Sequence, residues 1–357
     1  MPKPSIYCSA GALNVLANLY SDSEFHILRI PEIADEMLQQ IHASLNGRLA
    51  AEMIYSSGMP EISVIQEMQM VFWKNASQSN TVLLGIGGGS VMDIAKVLRF
   101  RPTGMDWLSQ NLDTSIAVHE GYKMPLVLMP TTAGTGSEVT PTATIWDFQN
   151  QQKHSFFGPA VLADVAIVDP YLCLSAPWVI TRDSAIDALS HALEAIWNIH
   201  ANFETTKLAI SAANDICHYL PLLKEDLNNI ELRERLSRAA LSAGLAMAKT
   251  QTALVHALSY ADTASSQTSH GQACGYWLPF VWQLFIDSEY EGTQKSEVNH
   301  ALANHFLSPS ELYDWLVDLG FKVHPPYQKD PEVDARVNQL RLSARGKNFA
   351  GFLVNDE

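Results

Sequence analysis

The chain has 357 residues, enough for two domains or one large one, and its 47% hydrophobic and 17% charged residues are typical of a globular protein. A formal net charge of -15 at pH 7 argues against a non-specific nucleic-acid-binding protein, because the affinity of such a protein rests on basic patches. A small anionic ligand remains compatible with this charge, since a local pocket can differ in sign from the whole surface.

Four cysteines are scattered along the chain without a CxxC pair, a usage typical of reduced cytosolic thiols rather than of a disulfide framework. The N-terminal sequence "MPKPSIYCSAG" lacks the apolar core of a signal peptide. The most apolar long stretch, residues 239–260, is interrupted by Lys249, Gln251 and His256, so it predicts a buried helix pair and not a membrane span. We therefore expect a soluble cytoplasmic protein with neither a membrane nor a nucleic acid as partner.

The first half of the chain alternates short apolar runs with helix-length amphipathic segments such as 61–75 and 90–99. The runs that we predict to be buried strands are residues 25–30, 51–57, 81–88, 125–132 and 165–169. This alternation favours a mostly parallel sheet with helices on both faces. Residues 143–157 predict two short strands around a polar turn, a hairpin that interrupts the pattern.

The second half of the chain differs in composition and in hydrophobic periodicity. From about residue 180 to about residue 287 it is rich in Ala, Leu and Glu at helical spacing. Residues 322–334 predict a Pro-rich loop, and the last twenty residues carry little pattern. We place the boundary near Pro170–Pro177, so the prediction is an α/β domain over residues 1–175 and an all-α domain over residues 176–357.

A glycine-rich turn, "LLGIGGGSVMDIAK" at residues 83–96, follows the third predicted strand and opens a helix. Gly87, Gly88, Gly89 and Ser90 let the backbone approach a ligand, and the helix N-terminus offers unpaired N–H groups and a positive dipole end. A phosphate or pyrophosphate suits this place. The spacing also fits a simple tight turn, with Asp93 as an ordinary residue of the first helical turn.

A second polar loop, "PTTAGTGSEVTPTATIW" at residues 130–146, follows the next strand. Its hydroxyl and amide groups suit phosphate, ribose or a nicotinamide amide, although polar loops are common. Two such loops support each other, because open α/β sheets bind ligands at the carboxyl ends of their strands.

Four polar residues stand out in the apolar second half. Asp187 and His191 share one helical face in "DALSHALEAIW", and His256 and His270 follow in later segments. One carboxylate and three imidazoles, without a thiolate, suit Fe²⁺ or Zn²⁺. Each histidine alone fits a hydrogen-bonded core residue equally well, and Glu194, one turn further on, fits either an outer partner of the site or a surface group.

Taken together, these motifs resemble the iron-containing (group III) alcohol dehydrogenase family over roughly residues 80–285. The matching segments are "GGGSVMDIAK", "PTTAGTGSEVT", "DALSHALEA", "VHALSY" and "SHG". The resemblance implies an N-terminal dinucleotide-binding parallel-sheet domain followed by a helical metal domain, an architecture like that of dehydroquinate synthase. It also implies hydride transfer between NAD or NADP and a small aldehyde or alcohol.

Residue by residue, the resemblance implies four metal ligands: Asp187, His191, His256 and His270. It implies a ribose contact for Lys153 and further cofactor contacts for Gly87, Gly88, Gly89, Ser90, Asp93, Thr131, Thr132, Thr135 and Thr140. Many family members carry a second histidine four residues after the third ligand. Tyr260 stands there in this chain, and we expect it to serve in proton transfer.

Within the family, "SEVTPTATIWD", "HALEAIWN" and "TQTALVHALSYADT" most resemble the branch that reduces phosphonoacetaldehyde to 2-hydroxyethylphosphonate. A phosphonate needs cationic or donor partners, and Lys249, His154 and Arg182 are candidates, each with an alternative as a surface group. The first predicted strand ends without an acidic residue that would hold a ribose hydroxyl. Arg29 there could hold a 2′-phosphate, which leaves both NAD and NADP open.

The expected mechanism is polarisation of a carbonyl oxygen by an Fe²⁺ or Zn²⁺ ion while the nicotinamide delivers hydride. Three alternatives stay open: a dehydrogenase for another small alcohol or diol, a lyase like dehydroquinate synthase, and a non-catalytic metal- or nucleotide-binding relative. A homodimer is the expected assembly.

Overall fold

The computed structural model of the protein describes residues 4–353 apart from 57, 77–79, 117–122, 151, 267, 327 and 329. The chain forms two compact units. One unit contains residues 1–132 and 137–176, and the other contains residues 133–136 and 177–357.

The first unit is built on a six-stranded parallel sheet with the strand order β1-β8-β5-β4-β2-β3. Its strands are β1 (Ser5–Cys8), β2 (Glu24–Arg29), β3 (Leu49–Ile54), β4 (Thr81–Gly87), β5 (Leu126–Pro130) and β8 (Val165–Val168). The parallel sheet predicted from the alternating pattern is confirmed, and the predicted hairpin is present as antiparallel β6 (Thr142–Asp147) and β7 (Gln152–Phe157). Strand β1 was not predicted, because four half-exposed residues at a sheet edge carry no apolar run.

Helices cover both faces of this sheet. On one face, α1 (Asp35–Ser44) and a short 3-10 helix over Ala12–Ala17 pack against apolar side chains of the strands. On the other face lie α2 (Ile62–Asn75) and α3 (Gly89–Leu98), while the short α4 (Trp107–Gln110) packs nearby. Every residue of β4, β5 and β8 is buried, which is why these strands read as continuous apolar runs.

The second unit is helical around a buried core. Its helices are α5 (Trp178–Ile196), α6 (Phe203–Glu225), α7 (Ile230–Thr250), α8 (Leu254–Ser266), α9 (His270–Asp287), α10 (Gln294–Leu302), α11 (Pro309–Asp318) and α12 (Pro331–Leu340). Helix α5 packs against α6, α7 and α9, and all of its residues from Ala185 onward are buried. Across the described residues, no helix is both long and apolar enough to cross a bilayer.

The C-terminal region is more ordered than its sequence pattern suggests. The loop predicted over 322–334 ends early, because Pro331 occupies the first turn of α12 and Asp330 accepts a hydrogen bond from the Glu332 N–H. A proline at this position loses no helical hydrogen bond. Near the end of the chain, Phe349 is fully buried and its ring packs against those of Trp197 and Phe285.

A buried lysine on α3 holds the segment that follows β5. The Lys96 ammonium is inaccessible to solvent and donates hydrogen bonds to Ser137 Oγ at 2.7 Å and to the Thr142 carbonyl at 2.6 Å. Asp93 lies 3.6 Å from the ammonium and accepts hydrogen bonds from Ser137 Oγ and the Thr144 N–H. Burial lowers the pKa of Lys96, and the nearby carboxylates of Asp93 and Glu138 oppose that shift.

We expect Lys96→Met to lower the free energy of unfolding by about 3–5 kcal/mol, because it leaves the partly buried Asp93 carboxylate and the loop carbonyl without their cation. Urea denaturation followed by far-UV circular dichroism measures the change. Lys74→Met, at an exposed site on α2, is the matched control and should stay within about 0.5 kcal/mol of wild type. Equal free energies of unfolding for the two variants would contradict the claim that Lys96 stabilises the segment after β5.

Candidate metal centre and dinucleotide site

Helix α5 places a carboxylate and an imidazole side by side in the core of the helical unit. Asp187 and His191 lie one turn apart, both are buried, and Asp187 Oδ1 is 3.7 Å from His191 Nε2. A hydrophobic core surrounds them, so neither side chain has bulk water to solvate it. An ionised carboxylate in such surroundings is costly unless other groups compensate it.

Two histidines from other helices complete the cluster. His256 on α8 places Nε2 3.4 Å from Asp187 Oδ1, and His270 at the start of α9 places Nε2 3.7 Å from the same oxygen. The rings of His191 and His256 stack with centroids 4.7 Å apart. The structure thus brings together all four side chains that the sequence marked as metal ligands.

The donor atoms of this cluster fit a divalent cation. Asp187 Oδ1 and His256 Nε2 are buried and have no hydrogen-bond partner of normal geometry within the described part of the chain. Buried polar atoms are normally satisfied, so two such atoms facing each other indicate a space for an ion. An oxygen and three imidazole nitrogens form a set that first-row divalent metals accept.

The surroundings favour the deprotonated forms of Asp187 and His191, which metal binding needs, and the protonated form of His256. Burial lowers the pKa of His191 to about 4 against the opposing effect of Asp187, so this imidazole is neutral at pH 7. Burial alone would raise the pKa of Asp187, but the surrounding imidazoles hold it below its ordinary value. Desolvation opposes a charge on His256, yet its contacts with Cys274, Glu194 and Asp187 raise its pKa well above the usual range. A metal ion would therefore displace a proton from His256.

Glu194, two turns after Asp187 on α5, orients His256 from behind. It is fully buried, and its Oε2 accepts a hydrogen bond from His256 Nδ1 at 2.7 Å. The same carboxylate accepts hydrogen bonds from the backbone N–H groups of Ala253, just before α8, and of His256 in the first turn of α8. Because Nδ1 is held as the donor, Nε2 is the nitrogen that faces Asp187. The alternative of Glu194 as a surface group is wrong.

A close helix contact places His270. The next residue, Gly271, touches α5, and a Cβ built there would lie 1.9 Å from the Asp183 carbonyl oxygen. Ser269 caps α9 by accepting a hydrogen bond from the Gln272 N–H, and its hydroxyl also donates to the Asp183 carboxylate. The "SHG" sequence therefore fixes the first turn of α9 on α5 so that His270 reaches Asp187.

The cluster is accessible on one side. The His270 side chain is 35% exposed, whereas those of Asp187, His191 and His256 are 3–6% exposed. Tyr260, one turn after His256 on α8, is partly exposed and stacks on the His270 ring with centroids 6.3 Å apart. Solvent therefore reaches the cluster at His270, beside Tyr260.

A cysteine that the sequence analysis did not select also borders the cluster. Cys274 Sγ lies 3.8 Å from His270 Nε2, and the donor atoms of Asp187, His256, His270 and Cys274 all lie within 4.8 Å of one another. Cys274 therefore places a thiol beside the expected ligand set, which itself contains none. The signal was present in the sequence, since Cys274 follows His270 by four residues and lies on the same helical face.

In the first unit, the glycine-rich turn and the Thr-rich loop begin at the same edge of the sheet. Gly87 pairs with Pro130 at the ends of β4 and β5, and the Thr131 N–H donates to the Gly87 carbonyl at 3.0 Å. A Cβ on Gly87 would lie 2.6 Å from Val91 Cβ, so only glycine lets α3 start this close to β4. Helix α3 begins after Gly88 without a side-chain cap, which leaves its first N–H groups available to an anion.

The other residues assigned to the cofactor fall into two groups. Gly88, Gly89, Ser90 and Thr132 are partly exposed around the start of α3, and the buried Thr131 hydroxyl has no hydrogen-bond partner among the described residues. In the second group, Asp93 and Thr140 belong to the hydrogen-bond network of Lys96. Lys153 lies on β7, and Thr135 belongs to the helical unit. For both groups, a role in cofactor binding stays a prediction.

Comparison with known proteins identifies the family. A family model described as iron-containing alcohol dehydrogenase matches residues 3–170, and a second, the Fe-containing alcohol dehydrogenase family C-terminal model, matches residues 181–323. Among curated proteins, the chain is 35% identical over 202 residues to a phosphonoacetaldehyde reductase of Streptomyces viridochromogenes, covering 55% of this chain and 51% of that one. It is 33% identical over 232 residues to the 1-propanol dehydrogenase PduQ of Salmonella typhimurium, covering 64% and 58%. The chain thus spans about half the length of these relatives.

Solved structures share the fold. A sulfoacetaldehyde reductase from Bifidobacterium kashiwanohense in complex with NAD+ superposes with a TM-score of 0.84 at 23% identity, covering 97% of this chain and 93% of that one. A 1,3-propanediol oxidoreductase superposes with a TM-score of 0.81 at 21% identity, covering 99% and 95%. The two-part architecture of a parallel-sheet unit and a helical unit, expected from the sequence, is confirmed.

We expect Glu194→Gln to weaken metal binding by about 10–100-fold, because the amide is a poorer acceptor for His256 Nδ1 than the carboxylate. Competition with a chromogenic chelator measures the affinity. Glu204→Gln, which removes the ion pair with Lys249, is the control and should bind metal like wild type. Undiminished affinity in Glu194→Gln would show that the carboxylate does not orient the ligand.

We expect Gly271→Ala to push α9 away from α5, to lower the stability by about 1–3 kcal/mol and to reduce the metal content per chain. Elemental analysis of the purified protein and chemical denaturation test both effects. Gly104→Ala provides the matched control, because its added Cβ meets no atom within 4 Å. A fully metallated and equally stable Gly271→Ala protein would refute this account of how His270 is placed.

Proposed function

Because the chain belongs to the iron-containing alcohol dehydrogenase family, we propose that it is a metal-dependent dehydrogenase that transfers hydride between a nicotinamide dinucleotide and a small aldehyde or alcohol. The observation that carries this proposal is the buried convergence of one carboxylate and three imidazoles on α5, α8 and α9. In this proposal, residues 1–175 bind the dinucleotide and residues 176–357 hold the metal.

Asp187, His191, His256 and His270 would hold the ion. When bound, a divalent ion supplies Lewis acidity to a carbonyl or alcohol oxygen. The apolar residues around Asp187 keep the site dry, which strengthens every charge interaction inside it. Glu194 keeps His256 in the tautomer that the ion needs.

Gly87, Gly88, Gly89 and Ser90 would receive the pyrophosphate through the uncapped N-terminus of α3. The dinucleotide, when bound, supplies the hydride. Thr131 and Thr132 offer hydroxyl groups beside this turn, and the Thr131 hydroxyl is the buried group that needs a partner. Lys153, Thr135, Thr140 and Asp93 complete the proposed cofactor set, the last two by holding the loop in place.

Tyr260 is our candidate for proton transfer. Its ring stacks on that of His270, the most exposed side chain of the cluster, and is itself partly exposed. In aldehyde reduction, the phenol or a water beside it would give a proton to the substrate oxygen as hydride reaches the carbonyl carbon.

For the substrate, we propose phosphonoacetaldehyde and its reduction to 2-hydroxyethylphosphonate. The similarity to a phosphonoacetaldehyde reductase supports this choice. The three side chains considered for the phosphonate have partners of their own: Lys249 pairs with Glu204, His154 with Asp113, and Arg182 with Asp183. Recognition by them would require these pairs to open. A second candidate is a simple alcohol such as 1-propanol, which the similarity to PduQ favours.

For the cofactor, we propose NAD. The Arg29 guanidinium, which could bind a 2′-phosphate, donates instead to the Glu52 carboxylate and to the Ile30 carbonyl. Glu52 leaves little positive charge for a phosphate at this sheet edge. The metal is iron or zinc. We further propose that the protein is a homodimer and that it is cytoplasmic, and the scattered cysteines without a CxxC pair support the second point.

An assay of phosphonoacetaldehyde, acetaldehyde and propionaldehyde with NADH and NADPH, in the presence of Fe²⁺ or Zn²⁺, tests the proposal. We expect stoichiometric oxidation of NADH with at least one aldehyde. Turnover without net cofactor oxidation would indicate a lyase instead. Binding of metal and dinucleotide without any turnover would indicate a non-catalytic relative.

We expect His256→Ala to lose the metal and to lower kcat by about 100-fold or more, because the stabilisation of charge on the substrate oxygen is lost. Dinucleotide binding, measured by fluorescence titration, should remain as in wild type. His300→Ala, at an exposed site on α10, is the control. Full metal content with undiminished turnover in His256→Ala would contradict the assignment of His256 as a metal ligand.

A further inference from the structure

Cys274 is placed as a metal ligand would be. The residue is fully buried on α9, one turn after His270, and its Sγ lies 3.8 Å from His270 Nε2. Donor atoms of Asp187, His256 and His270 lie with this sulfur in a group whose members are all within 4.8 Å of one another. Among the described residues, this is the one group of three or more such side chains that close together.

The ordinary interpretation of a buried cysteine is a small apolar residue that fills the core. Cys217 on α6 fits that description, because it is buried in the same helical unit and belongs to no group of metal-binding side chains among the described residues. Cys274 differs, since it shares its space with Asp187 Oδ1 and His256 Nε2, two buried atoms for which the described residues supply no hydrogen-bond partner. Those two atoms point independently to a cation between them.

We propose that Cys274 Sγ is a metal-binding atom, and that a thiophilic divalent ion such as zinc or cobalt takes it as a ligand together with Asp187, His256 and His270. The thiol releases its proton to solvent as the metal–sulfur bond forms. This set shares three residues with the oxygen–nitrogen set of the proposed function and differs in using Cys274 in place of His191.

The two overlapping sets predict that metal identity decides the fourth ligand. Thiolates favour zinc and cobalt, whereas an oxygen and three nitrogens also suit Fe²⁺. Cys274 therefore biases the site toward zinc. The inference requires only that a divalent ion binds, so absence of aldehyde reduction would overturn the proposed function without touching this one.

Cobalt substitution tests the sulfur ligand directly. The metal-free full-length chain is loaded with one equivalent of Co²⁺, and a near-ultraviolet charge-transfer band from a cobalt–thiolate bond is expected. Cys274→Ser should lose this band and keep the visible bands of the bound cobalt, while Cys217→Ser, the matched control, should keep both. A band that survives in Cys274→Ser, or its absence from fully loaded wild type, would overturn the proposal.

X-ray absorption of the zinc-loaded wild-type protein gives the same answer without a variant. A sulfur scatterer at about 2.3 Å from zinc is expected, and a shell of oxygen and nitrogen alone would refute the sulfur ligand. In competition titrations, Cys274→Ser should bind zinc at least about tenfold more weakly, with a smaller change for Fe²⁺. Equal losses for the two metals would indicate a purely structural cysteine.

Discussion

The burial of the Asp187 carboxylate among three imidazoles is the interaction on which the helical unit depends. A lone carboxylate in this core would be costly, and the surrounding histidines or a bound cation offset that cost. Helix α5 can carry such a group because α6, α7 and α9 pack around it and exclude water. The buried Asp187 carboxylate needs compensating groups, and this explains why histidines on three helices converge in an apolar interior.

Two contacts of α5 position the helices that carry the other ligands, α8 and α9. At one end of the helix, Asp183 receives Ser269, and Gly271 allows the backbone of α9 to approach. Nearer the other end, Glu194 holds the first turn of α8 and the ring of His256. The first unit also contains a buried charge. The Lys96 ammonium donates hydrogen bonds to the segment after β5 and holds it in place. In both units a buried charge fixes a loop or a helix start that the proposed function uses.

Much of the fold could be predicted from local patterns, because β4, β5 and β8 are buried on both faces and so read as apolar runs. Four donors of the candidate site could be predicted from helical spacing and family resemblance. The roles of Glu194, Lys96 and Cys274 could not, because each depends on which helices meet in three dimensions. Asp187 and Glu194 lie seven positions apart on one face of α5. Only the packing of α8 on α5 shows that Glu194 orients His256, the histidine that faces Asp187. The start of α12 within a predicted loop shows the same limit, since Pro331 is compatible with either.

The central claim is that one divalent ion binds between Asp187 and the histidines of α5, α8 and α9. Anomalous diffraction from crystals of the metal-loaded protein, recorded on both sides of the absorption edge of the metal, tests it most directly. The account predicts a single strong peak about 2.0–2.2 Å from Asp187 Oδ1 and from Nε2 of His256 and His270. A fully loaded crystal with its peak elsewhere, or with Asp187 outside the coordination sphere, would contradict the account.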